Sequence, residues 1–137
     1  MKDNSDRKSV LIVEDDYPSY CLLKFLLEPV GINIIRAVSG EEAIQIYYGN
    51  PDIDLIIMDI NLPVLNGIKA TQIIRESNTD IPIIIYSACS VHFIIEKAKL
   101  AGCSEFIPKP IAINDFLNKI IHYLDKINKS GQVTIRS

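Results

Sequence analysis

Residues 10–16 read Val10-Leu11-Ile12-Val13-Glu14-Asp15-Asp16, four aliphatic side chains that stop abruptly at three acids. A run this short and continuously apolar suits a strand buried on both faces, as in a parallel sheet covered by helices. Similar runs follow at residues 32–35, 55–58 and 83–86, with a weaker one at 106–107. The segments between them have helical period. Leu23, Leu26, Leu27 and Val30 fall at i, i+3, i+4 and i+7 behind Pro18, which suits a first turn, and Gly31 supplies a stop. Ser39 is placed to cap a helix through Tyr48, with Glu42 at the capping-box position and residues 49–51 as terminator. Further helices fit residues 67–76, 91–101 and 112–126. Five strand-then-helix units predict a doubly wound α/β sandwich, because parallel strands need crossover helices and those crossovers are right-handed. Pro108 cannot donate to a sheet ladder, so the fifth strand is expected at an edge.

The chain has 137 residues, enough for one domain at roughly 100–200 residues each. Its 48% hydrophobic and 23% charged side chains are those of an ordinary globular protein rather than a disordered one. A formal charge of -3 gives no overall attraction for nucleic acid. No apolar stretch follows the charges of the first eight residues, so no secretory signal is read there. The longest stretch without Asp, Glu, Lys or Arg, residues 81–95, contains Pro82 and is shorter than the roughly 20 residues a spanning helix needs. The expected location is the cytoplasm. Cys21, Cys89 and Cys103 have no metal-site spacing and read as reduced structural thiols.

Polar residues lie just beyond four of the runs: Glu14-Asp15-Asp16, Asp59, Ser87 and Lys109. Ligands of open α/β sheets bind at this carboxyl edge, where the strand order reverses. For the order 2-1-3-4-5 the reversal lies between strands one and three, where Glu14, Asp15 and Asp59 would meet. Crowded carboxylates raise one another's pKa values unless something positive sits among them. A hard divalent cation answers that need, and Mg²⁺ suits an open acidic cluster better than Ca²⁺, whose twelve-residue loop is absent. Taken alone, Glu14-Asp15-Asp16 divides evenly between a helix cap and a site.

These residues stand in longer motifs: Asp54-Leu55-Ile56-Ile57-Met58-Asp59-Ile60-Asn61-Leu62-Pro63, Asn66-Gly67, Pro82-Ile83-Ile84-Ile85-Tyr86-Ser87-Ala88 and Phe106-Ile107-Pro108-Lys109-Pro110. With the opening stretch they resemble, in order and spacing, the receiver domain of two-component response regulators. The resemblance implies a flavodoxin-like (βα)5 sandwich over residues 9–127, with a polar leader at 1–8 and a polar tail at 128–137. It implies that Asp59 is a phosphoacceptor taking a phosphoryl group from a phosphohistidine on a histidine kinase or histidine phosphotransfer protein. Mg²⁺ would be held by Asp15, Asp59, the backbone carbonyl of Asn61 and, through water or a hydrogen bond, Glu14. Ser87 would bind the phosphoryl oxygen as the switch hydroxyl, Phe106 would be the coupled aromatic switch, and Lys109 would aim its amine at the site from a cis Lys-Pro peptide. The plainer alternatives are a loop cap for Ser87, a core ring for Phe106 and a surface amine for Lys109.

In the fourth helix Val91, Ile94, Ile95 and Ala98 are expected to face the core, leaving Phe93 and Leu100 on a neighbouring face. That face reads either as a partner or homodimer surface with strand five and helix five or as part of a broad packed stripe. Tyr17, Tyr20 and Phe25 can meet a histidine-bearing helix or pack on nearby loops, and His92 reads as a solvated helix residue. The expected function is therefore a Mg²⁺-dependent phosphoacceptor switch without turnover of a separate substrate. It would be a stand-alone receiver, or one from a longer regulator or a membrane-bound hybrid kinase, with no nucleic acid or membrane contacted directly. Its competitors are a phosphorylation-independent binding module and a small Mg²⁺-dependent phosphatase. The phosphatase lacks the second aspartate expected in Asp59-Ile60-Asn61.

Overall fold

The computed structural model describes residues 7–50, 52–89 and 91–126. Five parallel strands, β1 (Ser9–Val13), β2 (Asn33–Ala37), β3 (Leu55–Met58), β4 (Ile83–Ser87) and β5 (Glu105–Pro108), lie in the order β2-β1-β3-β4-β5. The helices between and after them are α1 (Tyr17–Leu27), α2 (Gly40–Gly49), α3 (Gly67–Ser77), α4 (His92–Ala101) and α5 (Ile113–Asp125). This is the doubly wound sandwich expected from the apolar runs.

Alternation along each strand divides the core into two layers. Leu11, Val13, Ile56, Met58, Ile83 and Ile85 face Ala43 and Tyr47 of α2, Ala70 and Ile74 of α3, and Ala98 of α4. Val10, Ile12, Leu55, Ile57, Ile84 and Ile107 face Leu23 and Leu27 of α1 and Phe116, Ile120 and Leu124 of α5. The β1, β3 and β4 runs are accordingly apolar without interruption, whereas β2 and β5, at the edges, are only half-buried along most of their length. Pro108 closes an edge strand, where its missing N–H costs no ladder bond.

Local chemistry shifts several boundaries. α1 ends at Leu27 rather than Val30, because Pro29 has no N–H to continue the ladder, and a 3₁₀ turn (Glu28–Val30) leads to left-handed Gly31 at φ 81°. Ser39 caps α2 as expected, its hydroxyl accepting from the Glu42 N–H at 3.0 Å. Glu42 reaches back to the Val38 N–H at 3.0 Å, one residue before the cap. Val91 does not belong to the buried stripe: it is the extended cap residue before α4 and is exposed, while Ile94 and Ile95 are half-buried and Ala98 is buried. Phe93 and Leu100 are exposed, so the broad packed stripe does not extend to them.

Pro51, the leader through residue 6 and the tail from residue 127 lie outside the described residues. The Lys8 carbonyl accepts the Asn33 N–H at 2.8 Å beside β1. No helix among the described residues is long and apolar enough to cross a membrane.

Glu105, at the start of β5, ties the sheet to α5 by accepting from the Lys119 ammonium and, at 2.8 Å, from the Tyr123 hydroxyl. Burial raises the Glu105 carboxyl, but the bonds from Lys119 and Tyr123 outweigh it and hold the group below its ordinary range. Burial, followed by the bond to Glu105, pushes the Tyr123 phenol up to about 12. A raised folded-state pKa stabilises the fold fully below the ordinary phenol value of 10.0, and the contribution fades as pH rises through about 12. Ultraviolet titration should therefore show a late phenolate component near pH 12 that Tyr123→Phe removes. The same variant should lose stability at neutral pH and flatten the stability profile between 10 and 12.

Candidate functional site

Register brings the acids together. Val13 pairs with Met58 across β1 and β3, so the next residues, Glu14 and Asp59, leave adjacent strands at the same level. The Asp59 N–H donates to the Val13 carbonyl at 3.0 Å, and the Glu14 N–H to the Ala37 carbonyl at 3.0 Å, continuing the ladder one step beyond the strands. Carboxylate oxygens of Glu14, Asp15 and Asp59 then lie within 4.8 Å of one another. Glu14 is buried, Asp59 half-buried and Asp15 exposed, so the cluster opens to solvent on one side.

Lys109 enters from the far end of the chain. Its ammonium donates to Glu14 Oε1 at 3.0 Å and sits 5.0 Å from the centre of the Tyr86 ring. Burial raises the Glu14 carboxyl above its ordinary range; the bond from Lys109 opposes that rise and the charge of Asp59 adds to it. The Lys109-Pro110 peptide is cis, and the Lys109 N–H donates to the Ser87 carbonyl at 2.9 Å. Asp59 Oδ1 accepts its neighbour Ile60's N–H at 2.7 Å.

The acidic triplet is both a cap and a cluster. Asp16 caps α1, accepting from the Ser19 N–H at 3.0 Å and the Ser19 hydroxyl at 2.6 Å, which hold its carboxyl below its ordinary range. Glu14 and Asp15 are left to face Asp59. Ser87, fully buried, ends β4 on the same edge, where its Oγ accepts the Cys89 N–H at 3.2 Å. Asn61 is exposed, at the centre of a tight turn closed by the Leu62 N–H on the Ile60 carbonyl at 2.9 Å. Phe106 lies back from this edge, half-buried in the layer that also takes Ile94 and Ala98 of α4. His92 is exposed beside Glu96 on α4. The three cysteines are free and half-buried.

Two features are not readable from the motifs. Arg36, a single base after an isoleucine run, donates to the Glu14 carbonyl through Nε at 3.2 Å and Nη2 at 3.1 Å, and to the Asp15 carbonyl at 3.2 Å. Sequence distance hides this, since the clamp joins residues 21 and 22 positions apart. In the β3–α3 loop Val64 adopts φ 67° and is 81% exposed, inside a γ-turn closed by the Leu65 N–H on the Pro63 carbonyl at 2.7 Å. For a β-branched residue this is a strained conformation. Gly67, the first residue of α3, is required by close approach, because a Cβ there would collide with the Asp59 carbonyl.

Comparison with known proteins agrees with this geometry. The family model for the response regulator receiver domain matches residues 10–121. The polar-differentiation response regulator DivK of Brucella ovis is 35% identical over 119 residues, 85% of this chain and 96% of that protein. A two-component response regulator of Clostridium difficile superposes with a TM-score of 0.80 at 29% identity, over 86% of this chain and 96% of its own. The CheX-CheY-BeF3-Mg²⁺ complex of Borrelia burgdorferi gives a TM-score of 0.79 at 29% identity, over 85% of this chain and 89% of that one. The chain belongs to the response regulator receiver domain family, whose members serve two-component signal transduction.

The loop that carries β3 into α3 makes opposite demands at two positions. Gly67→Ala should destabilise the fold by about 1–3 kcal/mol, the usual range for forced overpacking. Val64→Gly should stabilise it by up to about 1 kcal/mol, as left-handed strain of roughly 1–2 kcal/mol is relieved against the entropy cost of glycine. Urea unfolding of the two variants beside the parent checks both signs.

Proposed function

We propose that the protein is a phosphoacceptor switch in which Asp59 takes a phosphoryl group from a phosphohistidine of a partner protein. The observation that carries this reading is the convergence of Glu14, Asp15 and Asp59 within 4.8 Å, beside an ammonium 3.0 Å from Glu14. Three hard oxygen donors open to solvent on one side fit Mg²⁺, which keeps waters and accepts phosphate oxygens as further ligands. Asp15, Asp59 and the backbone carbonyl of Asn61 would hold it, with Glu14 acting through water or a hydrogen bond. Bound there, Mg²⁺ supplies positive charge against the transferred group. The B. burgdorferi relative, solved with BeF3 and Mg²⁺, supports the same ion here.

The chain's own residues do the rest. One oxygen of Asp59, fixed at a strand end, attacks phosphorus in line. The P–N bond of the phosphohistidine breaks and the imidazole nitrogen leaves with the electron pair. Lys109, held between Glu14 and the face of Tyr86, can turn its ammonium to the new phosphoryl oxygens. Ser87 would give up the Cys89 N–H and donate its hydroxyl to the same group. Burial of Ser87 means that this movement draws the β4–α4 segment inward, and half-buried Phe106 would follow in the layer beneath α4.

Residues 9–127 form the receiver unit in this reading, acting in the cytoplasm. The partner is a histidine kinase or phosphotransfer protein, and α1, the helix that follows the acidic turn, offers it exposed Tyr17, Leu22 and Phe25. Exposed Phe93 and Leu100 on α4 give the output or self-association face.

Incubation with acetyl phosphate, followed by intact-mass measurement, tests the reading. A single phosphoryl adduct is expected with Mg²⁺ and not with chelator. Asp59→Asn should abolish it while leaving the chain folded and no less stable than the parent in urea, because one of three crowded charges is removed. Full phosphorylation of that variant would overturn the assignment.

A further inference from the structure

We infer that Arg36 is a positioning residue for the acidic cluster: its guanidinium, held beside Tyr17 and Tyr20, locks the backbone of Glu14 and Asp15 so that their carboxylates stay aimed at the Mg²⁺ site. The inference rests on the reading of that site given above.

Glu14 and Asp15 belong to a loop rather than to a strand, yet their side chains must remain close to Asp59 against mutual repulsion. Backbone ties fix Glu14 on both sides of its Cα. Its N–H donates to the Ala37 carbonyl at 3.0 Å, and its carbonyl takes two donors of the Arg36 fork, at 3.1 and 3.2 Å. Nη2 bridges onward to the next carbonyl, that of Asp15, at 3.2 Å. One planar group therefore sets two successive peptide planes, which a single-point ammonium cannot do.

The fork is itself held in place. The Tyr20 ring centre lies 4.7 Å and the Tyr17 ring centre 5.3 Å from the guanidinium carbon, within cation–π range. Both rings belong to α1, whose first turn is capped by Asp16, the residue following the clamped pair. The β1–α1 loop is thus held by β2 from one side and by α1 from the other. Arg36 touches no reacting atom and acts only through Glu14 and Asp15.

Arg36 also carries a charge, which by itself would repel a cation, so charge and geometry predict opposite signs. Arg36→Lys separates them because it keeps the charge and removes the fork. The test is Mg²⁺ titration of the full chain by calorimetry at fixed ionic strength, for the parent, Arg36→Lys, Arg36→Met and Asp59→Asn. Loss of the fork should weaken Mg²⁺ binding roughly 10-fold in Arg36→Lys, the scale seen when groups orienting metal ligands are removed. Amide exchange at Asp15 and Asp16 should accelerate in the metal-free protein, a readout independent of phosphorylation. A residue that only stabilised the fold would lower the unfolding midpoint and leave both readouts of the folded protein unmoved. Parent-like Mg²⁺ affinity in Arg36→Lys overturns the inference, as does tighter binding in Arg36→Met with Arg36→Lys unchanged, which would show charge alone. If Mg²⁺ binds the parent and is weakened in Asp59→Asn but not in Arg36→Lys, only this inference fails. If the parent takes up no Mg²⁺, the reading of the site fails with it.

Discussion

Like charges held closer together than they would choose in water are the constraint around which this molecule is arranged. Glu14, Asp15 and Asp59 converge within 4.8 Å because β1 and β3 are neighbours in register, and the strand order reverses at that place. The repulsion is opposed by Lys109 at Glu14 and by backbone ties on either side of the pair 14–15. Crowded carboxylates of this kind favour a positive charge among them, which Lys109 supplies at Glu14.

Rigidity and freedom are distributed to match. The central strands are buried on both faces and give the acids a fixed base, with Asp59 following the fully buried run Leu55–Met58. Around the cluster the loops are exposed, and one of them holds Val64 at a φ of 67°. Strain in the loop after Asp59 and a buried hydroxyl that accepts from the amide two residues on are local arrangements that a new charged group can reset at small cost.

Much of the fold was legible because its strands are buried on both faces and therefore read as uninterrupted apolar runs. In the half-buried edge strand β2 the apolar pattern stops two residues short of Ala37, since Arg36 breaks it there. Val91 departs from the pattern for a related reason: periodicity counts an apolar residue at the helix entrance as part of the stripe, whereas its extended backbone places it outside the helix. Within the site, acids at strand ends were legible because strand order predicts which ends meet. The Arg36 clamp was not, because its partners are main-chain carbonyls, which leave no mark on side-chain pattern. Gly67 stands in the Asn66-Gly67 motif, but the reason for it, the Asp59 carbonyl where a Cβ would lie, is visible only in three dimensions.

The bond between Lys109 and Glu14 spans 95 positions of the chain. It joins the turn after the first strand to the turn after the last, and between them lie both sheet edges and four crossover helices. The first half of the sequence holds the three acids, and the second half holds the amine. A chain that has emerged only as far as Asp59 already contains Glu14 and Asp15 but not Lys109, so the ammonium that opposes their repulsion is the last part of the cluster to arrive. The complete cluster therefore exists only where the last strand has joined the sheet, so its presence reports a finished fold.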